Sequence, residues 1–140
     1  MVATSGARLL PEDAVQTMCK ELLPVTGLLT PNVPEAQLIL QESGHEATDI
    51  KSLEDLKQLA EAVQKLGPKA VLVKGGHCPL DKDFRVPEDE ADMQLIVNVL
   101  CTEDSFTVFE SRYQKSTNTH GTGCSLACML QNPLIQRREY

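Results

Sequence analysis

Tryptophan is missing from this sequence, and only two tyrosines and three phenylalanines occur in 140 residues. With so few aromatic anchors, the core has to be built from aliphatic side chains. Basic residues are also in deficit. Thirteen Lys and Arg against twenty Asp and Glu give a formal charge of −7. Nucleic acids and anionic membrane surfaces are held through basic patches. The nearest thing to one is the pair Arg137-Arg138 at the end of the chain. The expected partners therefore include no nucleic acid and no membrane. No apolar run is long enough to cross a bilayer. The opening MVATSGARLL lacks a basic stretch followed by an apolar one, so it does not read as a signal peptide. No Asn-x-Ser/Thr acceptor, no CxxC pair and no GxxxxGK[ST] phosphate loop is present.

The five cysteines are odd in number and irregular in spacing. Without a secretory signal they read as reduced thiols of a cytoplasmic protein. A zinc site built on His120, Cys124 and Cys128 is conceivable, because positions 124 and 128 share a helix face. The lack of an evident fourth ligand counts against it.

What is present is a globular composition: 41% hydrophobic residues, mean hydropathy −0.19, and length for one domain. Residues 11–23 read as a helix, with Pro11, Glu12 and Asp13 suited to its first turn and Pro24 ending it. Residues 25–30 form a short apolar run suited to a buried strand. Asn32 and Glu35 have capping-box spacing, so a helix starts there. Another starts near Ser52, carries the stripe Leu53, Leu56, Ala60 and Val63, and stops at Gly67-Pro68. Residues 70–74, AVLVK, read as a strand buried on both faces of a parallel sheet. Gly75-Gly76 breaks it. Residues 79–92 are acidic and proline-bearing, which predicts an exposed loop. Residues 95–102 and 105–110 read as a hairpin around Glu103-Asp104. Residues 115–122 form a loop and 123–130 a final helix. No repeat, low-complexity tract or linker divides the chain. The pattern predicts an α/β sheet covered by helices, with a hairpin at one edge.

Three segments carry chemistry. In NTHGTGCS, residues 118–125, two glycines precede a helix N-terminus, where unpaired N–H groups and a positive dipole favour an anion. The same position lowers the pKa of a thiol, which points to Cys124. A glycine-rich turn beside a structural cysteine is the plainer reading, since a lone Gly-x-Gly is a weak motif. VKGGH, residues 73–77, ends a strand at the side where open α/β sheets bind ligands, although by itself it reads more simply as a plain turn with an exposed lysine. TPNVPEA, residues 30–36, puts an amide and a carboxylate at another strand end, where they either hold water on Mg²⁺ or simply cap a helix.

Together with MVATSGARLL and the following DAV, the segments LLPVTGLLTPNVPEA, AVLVKGGH and NTHGTGC resemble, in register over about residues 1–130, the hydroxymethylpyrimidine/phosphomethylpyrimidine kinases of thiamine biosynthesis. That family lies in the ribokinase-like superfamily. NTHGTGC is the most specific of the segments, because most ribokinase-like relatives end this motif with Asp. The resemblance implies a three-layer α/β/α sandwich of which this chain is the C-terminal, nucleotide-side portion. It also implies ATP-dependent phosphorylation of hydroxymethylpyrimidine and then of its monophosphate. By matching position, Cys124 is the expected catalytic base. Gly121, Thr122 and Gly123 form the anion hole for the transferred phosphoryl group. Lys74, with Thr122 and Gly123, lies near the nucleotide phosphates. Asn32 and Glu35 belong to the Mg²⁺ site, and Val2 falls at the edge of the pyrimidine pocket. The expected partners are the pyrimidine and ATP, with a homodimer left open.

Two departures accompany the resemblance. Family members carry further residues before position 1, including most of the pyrimidine pocket. At the other end MLQNPLIQRREY resembles nothing in the family, so a partial kinase domain over 1–130 and a separate tail over 131–140 are expected. The alternative function is therefore a catalytically inactive fragment that retains at most nucleotide binding. A related vitamin kinase, such as a pyridoxal kinase, is a third reading, which the cysteine at 124 disfavours.

Overall fold

The computed structural model describes residues 11–46 and 49–115. Helix α1, Glu12–Thr17, widens into a π-helical turn over Met18–Leu22 and then tightens into a 3-10 turn over Leu23–Val25. The helical path thus runs through Pro24 instead of stopping before it. In the wide turn Leu23 N–H donates to Met18 O, and the Leu23 side chain is buried.

Strand β1 is only Leu28–Leu29, shorter than the apolar run that predicted it. Val25 is spent in the 3-10 turn, and among the described residues β1 pairs on one side alone. Helix α2, Val33–Glu42, turns Val33, Ala36, Ile39 and Leu40 inward. Helix α3, Leu53–Gln64, does the same with Leu56, Leu59, Ala60 and Val63, spaced at three and four residues. Gly67 follows it at φ +129, and a Cβ there would lie 2.8 Å from Pro24 Cα. Strands β2, Ala70–Lys74, β3, Leu95–Thr102, and β4, Phe106–Arg112, complete a sheet of order β1-β2-β3-β4.

β2 is buried, as its composition predicts, but its neighbours differ in direction. It runs parallel to β1 and antiparallel to β3. The sheet is therefore mixed rather than parallel, because the connection over residues 75–94 re-enters the sheet beside the carboxyl end of β2 instead of crossing back to its start. The hairpin turns at Glu103-Asp104, closed by Thr102 N–H donating to Ser105 O at 2.9 Å. Val71, Val73, Val97, Val99 and Cys101 share one face of the sheet and are buried under α3.

The segment between β2 and β3 is exposed over most of residues 79–92, as its acidic composition predicts, but it is anchored in the core at two points. Leu80 is fully buried, and Phe84 packs against the core. Asp81 organises it, its Oδ1 accepting from Asp83 N–H at 2.8 Å and Arg85 N–H at 2.9 Å. Phe84 sits at φ +59, a left-handed conformation that a bulky residue adopts only when its surroundings impose it. Its carbonyl accepts Leu53 N–H at 3.0 Å and ties the loop to the start of α3.

At that start Ser52 Oγ accepts from Asp55 N–H at 3.3 Å, and Asp55 Oδ2 accepts from Ser52 Oγ at 2.8 Å and Lys51 N–H at 3.0 Å. The Ser52 hydroxyl first, then the Lys51 N–H, hold the Asp55 carboxyl below the usual range. A depressed folded-state value means that the stabilisation is present above the unfolded pKa of about 3.9 and fades as pH falls through the lower folded value. Asp55→Asn is expected to lose part of the cap at neutral pH and to show a shallower acid limb than wild type. Urea midpoints measured at neutral pH and at about pH 3 check this; equal acid limbs would count against it.

Candidate active site

The carboxyl ends of β1 and β2 lie side by side. Lys74 N–H donates to Pro31 O at 2.9 Å, and Asn32 pairs with Lys74 as an isolated parallel bridge. Asn32 then caps α2. Its Oδ1 accepts from Glu35 N–H at 2.8 Å, while Glu35 Oε2 accepts from Asn32 N–H at 3.0 Å. This reciprocal box explains both residues structurally. It leaves Glu35 Oε1 without a hydrogen bond among the described residues. The Lys74 ammonium likewise has no carboxylate partner among the described residues. The structure thus brings Asn32, Glu35 and Lys74, from the segments TPNVPEA and VKGGH, to one edge of the sheet.

Beyond Lys74 the chain makes a 3-10 turn over Gly75–His77. Gly75 is buried against β3, and a Cβ on it would lie 2.0 Å from Val97 O. Gly76 is different: it is exposed, and a Cβ there would meet nothing within 4 Å. Gly75 N–H donates to Asn98 Oδ1 at 3.2 Å. Asn98 is opposite Lys74 in the β2–β3 register. Sequence reading passed over Asn98. The available signal was a lone amide between Ile96 and Leu100 on a strand face otherwise spaced as apolar.

The remaining predicted residues, Val2, Gly121, Thr122, Gly123 and Cys124, lie outside the described residues, as do His120 and Cys128 of the zinc reading and the boundary at 130. Among the described residues no cluster of three His, Cys, Asp or Glu is placed to hold a metal. Burial pushes the Cys78 thiol up, aided by Asp49, and burial does the same for Cys101, aided by Glu61. Both therefore stay protonated and are poor nucleophiles. A groove of about 550 Å³ is lined by four carboxylates, Asp81, Glu88, Asp89 and Asp92, against two cations, Lys82 and Arg85. It contains none of the predicted residues, and its carboxylates make it unsuited to a phosphate. Among the described residues no helix is long and apolar enough to cross a membrane.

The mixed sheet covered by helices has the ribokinase-like α/β fold. Solved structures agree. A pyridoxal kinase from Staphylococcus aureus, in complex with AMP-PCP, matches with a TM-score of 0.69 over 94% of this chain and 41% of its own, at 22% identity. A phosphomethylpyrimidine kinase from Clostridium difficile matches with a TM-score of 0.57 over 79% of this chain and 39% of its own, at 32% identity. The sequence profile described as phosphomethylpyrimidine kinase matches residues 1–140, and the chain belongs to that family. In Schizosaccharomyces pombe, a protein named hydroxymethylpyrimidine/phosphomethylpyrimidine kinase 2 is 42% identical over 91% of this chain. The chain spans 23% of that relative, and less than half of either solved kinase.

Proposed function

We propose that this chain carries the nucleotide-phosphate part of a kinase that transfers a phosphoryl group from ATP to hydroxymethylpyrimidine and then to its monophosphate, in the cytoplasm. The observation that carries the reading is the convergence of Asn32, Glu35 and Lys74 at one sheet edge, with Lys74 unpaired among the described residues. The binding of AMP-PCP by the related pyridoxal kinase supports ATP as the donor.

Phosphoryl transfer asks mainly for positioning and charge stabilisation. Lys74 supplies a cation for the phosphate oxygens. Gly121, Thr122 and Gly123 supply N–H donors where the transferred group develops charge. Cys124 takes the hydroxyl proton, and Val2 borders the pyrimidine. Mg²⁺ fits the donor set. It prefers hard oxygens and usually keeps waters, using one or two carboxylates plus substrate phosphates. Glu35 Oε1 is the uncommitted carboxylate oxygen, and Asn32 stands beside it. When bound, Mg²⁺ neutralises phosphate charge.

Thermal melting with and without saturating Mg-ATP tests the reading. A midpoint that rises with nucleotide supports a formed phosphate site. Glu35→Gln is the informative variant, because Gln still closes the capping box while the carboxylate is gone. It is expected to melt like wild type without ligand and to need more Mg²⁺ for the same shift. An unchanged metal titration would reduce Glu35 to a helix cap. The second reading is a fragment that keeps at most nucleotide binding. A nucleotide shift without pyrimidine turnover would support it.

A further inference from the structure

Asn98 stands out on β3. Val97, Val99 and Cys101 face the core, and the alternate positions Ile96, Asn98 and Leu100 share the opposite face. Asparagine is unfavourable in strands and contributes little packing between two aliphatic neighbours. Its placement therefore calls for a polar reason. One is visible. Asn98 Oδ1 accepts Gly75 N–H, the first amide beyond Lys74, at 3.2 Å. Across the ladder Asn98 is the register partner of Lys74, which is in turn bridged to Asn32. Asn32, Lys74 and Asn98 thus form one polar row across three adjacent chain segments at the carboxyl edge of the sheet.

Packing explains only one of the two glycines in this turn. Gly75 has no room for a side chain, because Val97 O occupies the space. Gly76 has open space and no left-handed φ, so neither sterics nor backbone conformation asks for glycine there. A bare backbone in open space is what a ligand needs in order to come close. The position of Gly76 depends on Gly75, and Gly75 is fixed by Val97 O on one side and Asn98 Oδ1 on the other.

We propose that Asn98 is a positioning residue of the phosphate site: it orients the Lys74-Gly75-Gly76 turn through the Gly75 amide, so that the Gly76 backbone and the Lys74 ammonium face the same phosphate group. This rests on the nucleotide-binding reading above.

The test compares Mg-ATP binding by calorimetry for the wild-type chain, Asn98→Leu and Asn98→Asp, with hydrogen exchange at the Gly75 amide read by NMR without ligand. Leu has no acceptor, whereas Asp keeps one. Asn98→Leu is expected to weaken Mg-ATP binding by about tenfold and to speed Gly75 exchange similarly, the scale of one ordinary hydrogen bond. Asn98→Asp is expected to restore slow Gly75 exchange. If Asn98→Leu does not fold, Asn98→Val takes its place, since Val favours strands and also lacks an acceptor. A wild-type chain that binds Mg-ATP while the Leu or Val variant binds it equally well overturns this inference alone. A wild-type chain that does not bind Mg-ATP overturns the nucleotide-binding reading and this inference with it.

Discussion

Gly75→Ala is expected to lower the melting temperature of this chain by on the order of 10 °C, corresponding to about 3 kcal/mol for a chain of this size. The reason is local and severe. The added Cβ would sit 2.0 Å from Val97 O and 3.1 Å from Val97 C, with Leu56 Cδ1 at 3.7 Å behind. A flexible side chain could swing away, but a strand carbonyl cannot move without disturbing the β2–β3 ladder. Val73↔Val99 and Lys74↔Asn98 are the neighbouring pairs that would open. Gly76→Ala is the matched control, because its Cβ enters open space and should change stability by no more than about 0.5 kcal/mol. Differential scanning calorimetry of the two variants separates packing from backbone entropy. A Gly75→Ala chain melting within about 2 °C of wild type would mean that the two strands can part at little cost.

The second large effect is on turnover. On the proposed kinase reading, Cys124→Ala is expected to reduce kcat by about 10² to 10⁴, the usual contribution of a general base, while Mg-ATP affinity is kept. The expectation follows from the motif, in which the thiol stands at a predicted helix N-terminus after two glycines, where thiolate is favoured. Cys78 and Cys101 supply the contrast. Burial raises both thiols, and the Cys78→Ser enzyme should turn over as wild type does. Steady-state kinetics decide the matter. A Cys124→Ala enzyme that keeps more than about a tenth of the wild-type kcat would remove Cys124 from the base role.

The sequence by itself determined the elements whose signals are local. The Asn32-Glu35 box and the Ser52-Asp55 cap are four-residue patterns, and both close as their spacing predicts. The stripe on α3 is periodic, so most of its buried face could be read from the chain: Leu56, Ala60 and Val63 are buried as predicted, joined by Leu59, while Leu53 is only partly buried. The family was legible for the same reason, since its motifs are short runs of contiguous residues, and the profile match over residues 1–140 establishes it.

Tertiary structure alone decided whatever depends on residues distant along the chain. AVLVK is apolar in either a parallel or a mixed sheet, and only the course of the connection over residues 75–94 sets its direction relative to β3. Residues 79–92 look exposed from their carboxylates, yet Leu80 is buried and Phe84 packs against the core through a turn that Asp81 organises. Asn98 lies 23 residues from Gly75, and no spacing rule reaches that far. It joins this row because strand pairing lays Asn98 beside Lys74, which is bridged on its other side to Asn32, a contact that local sequence cannot encode.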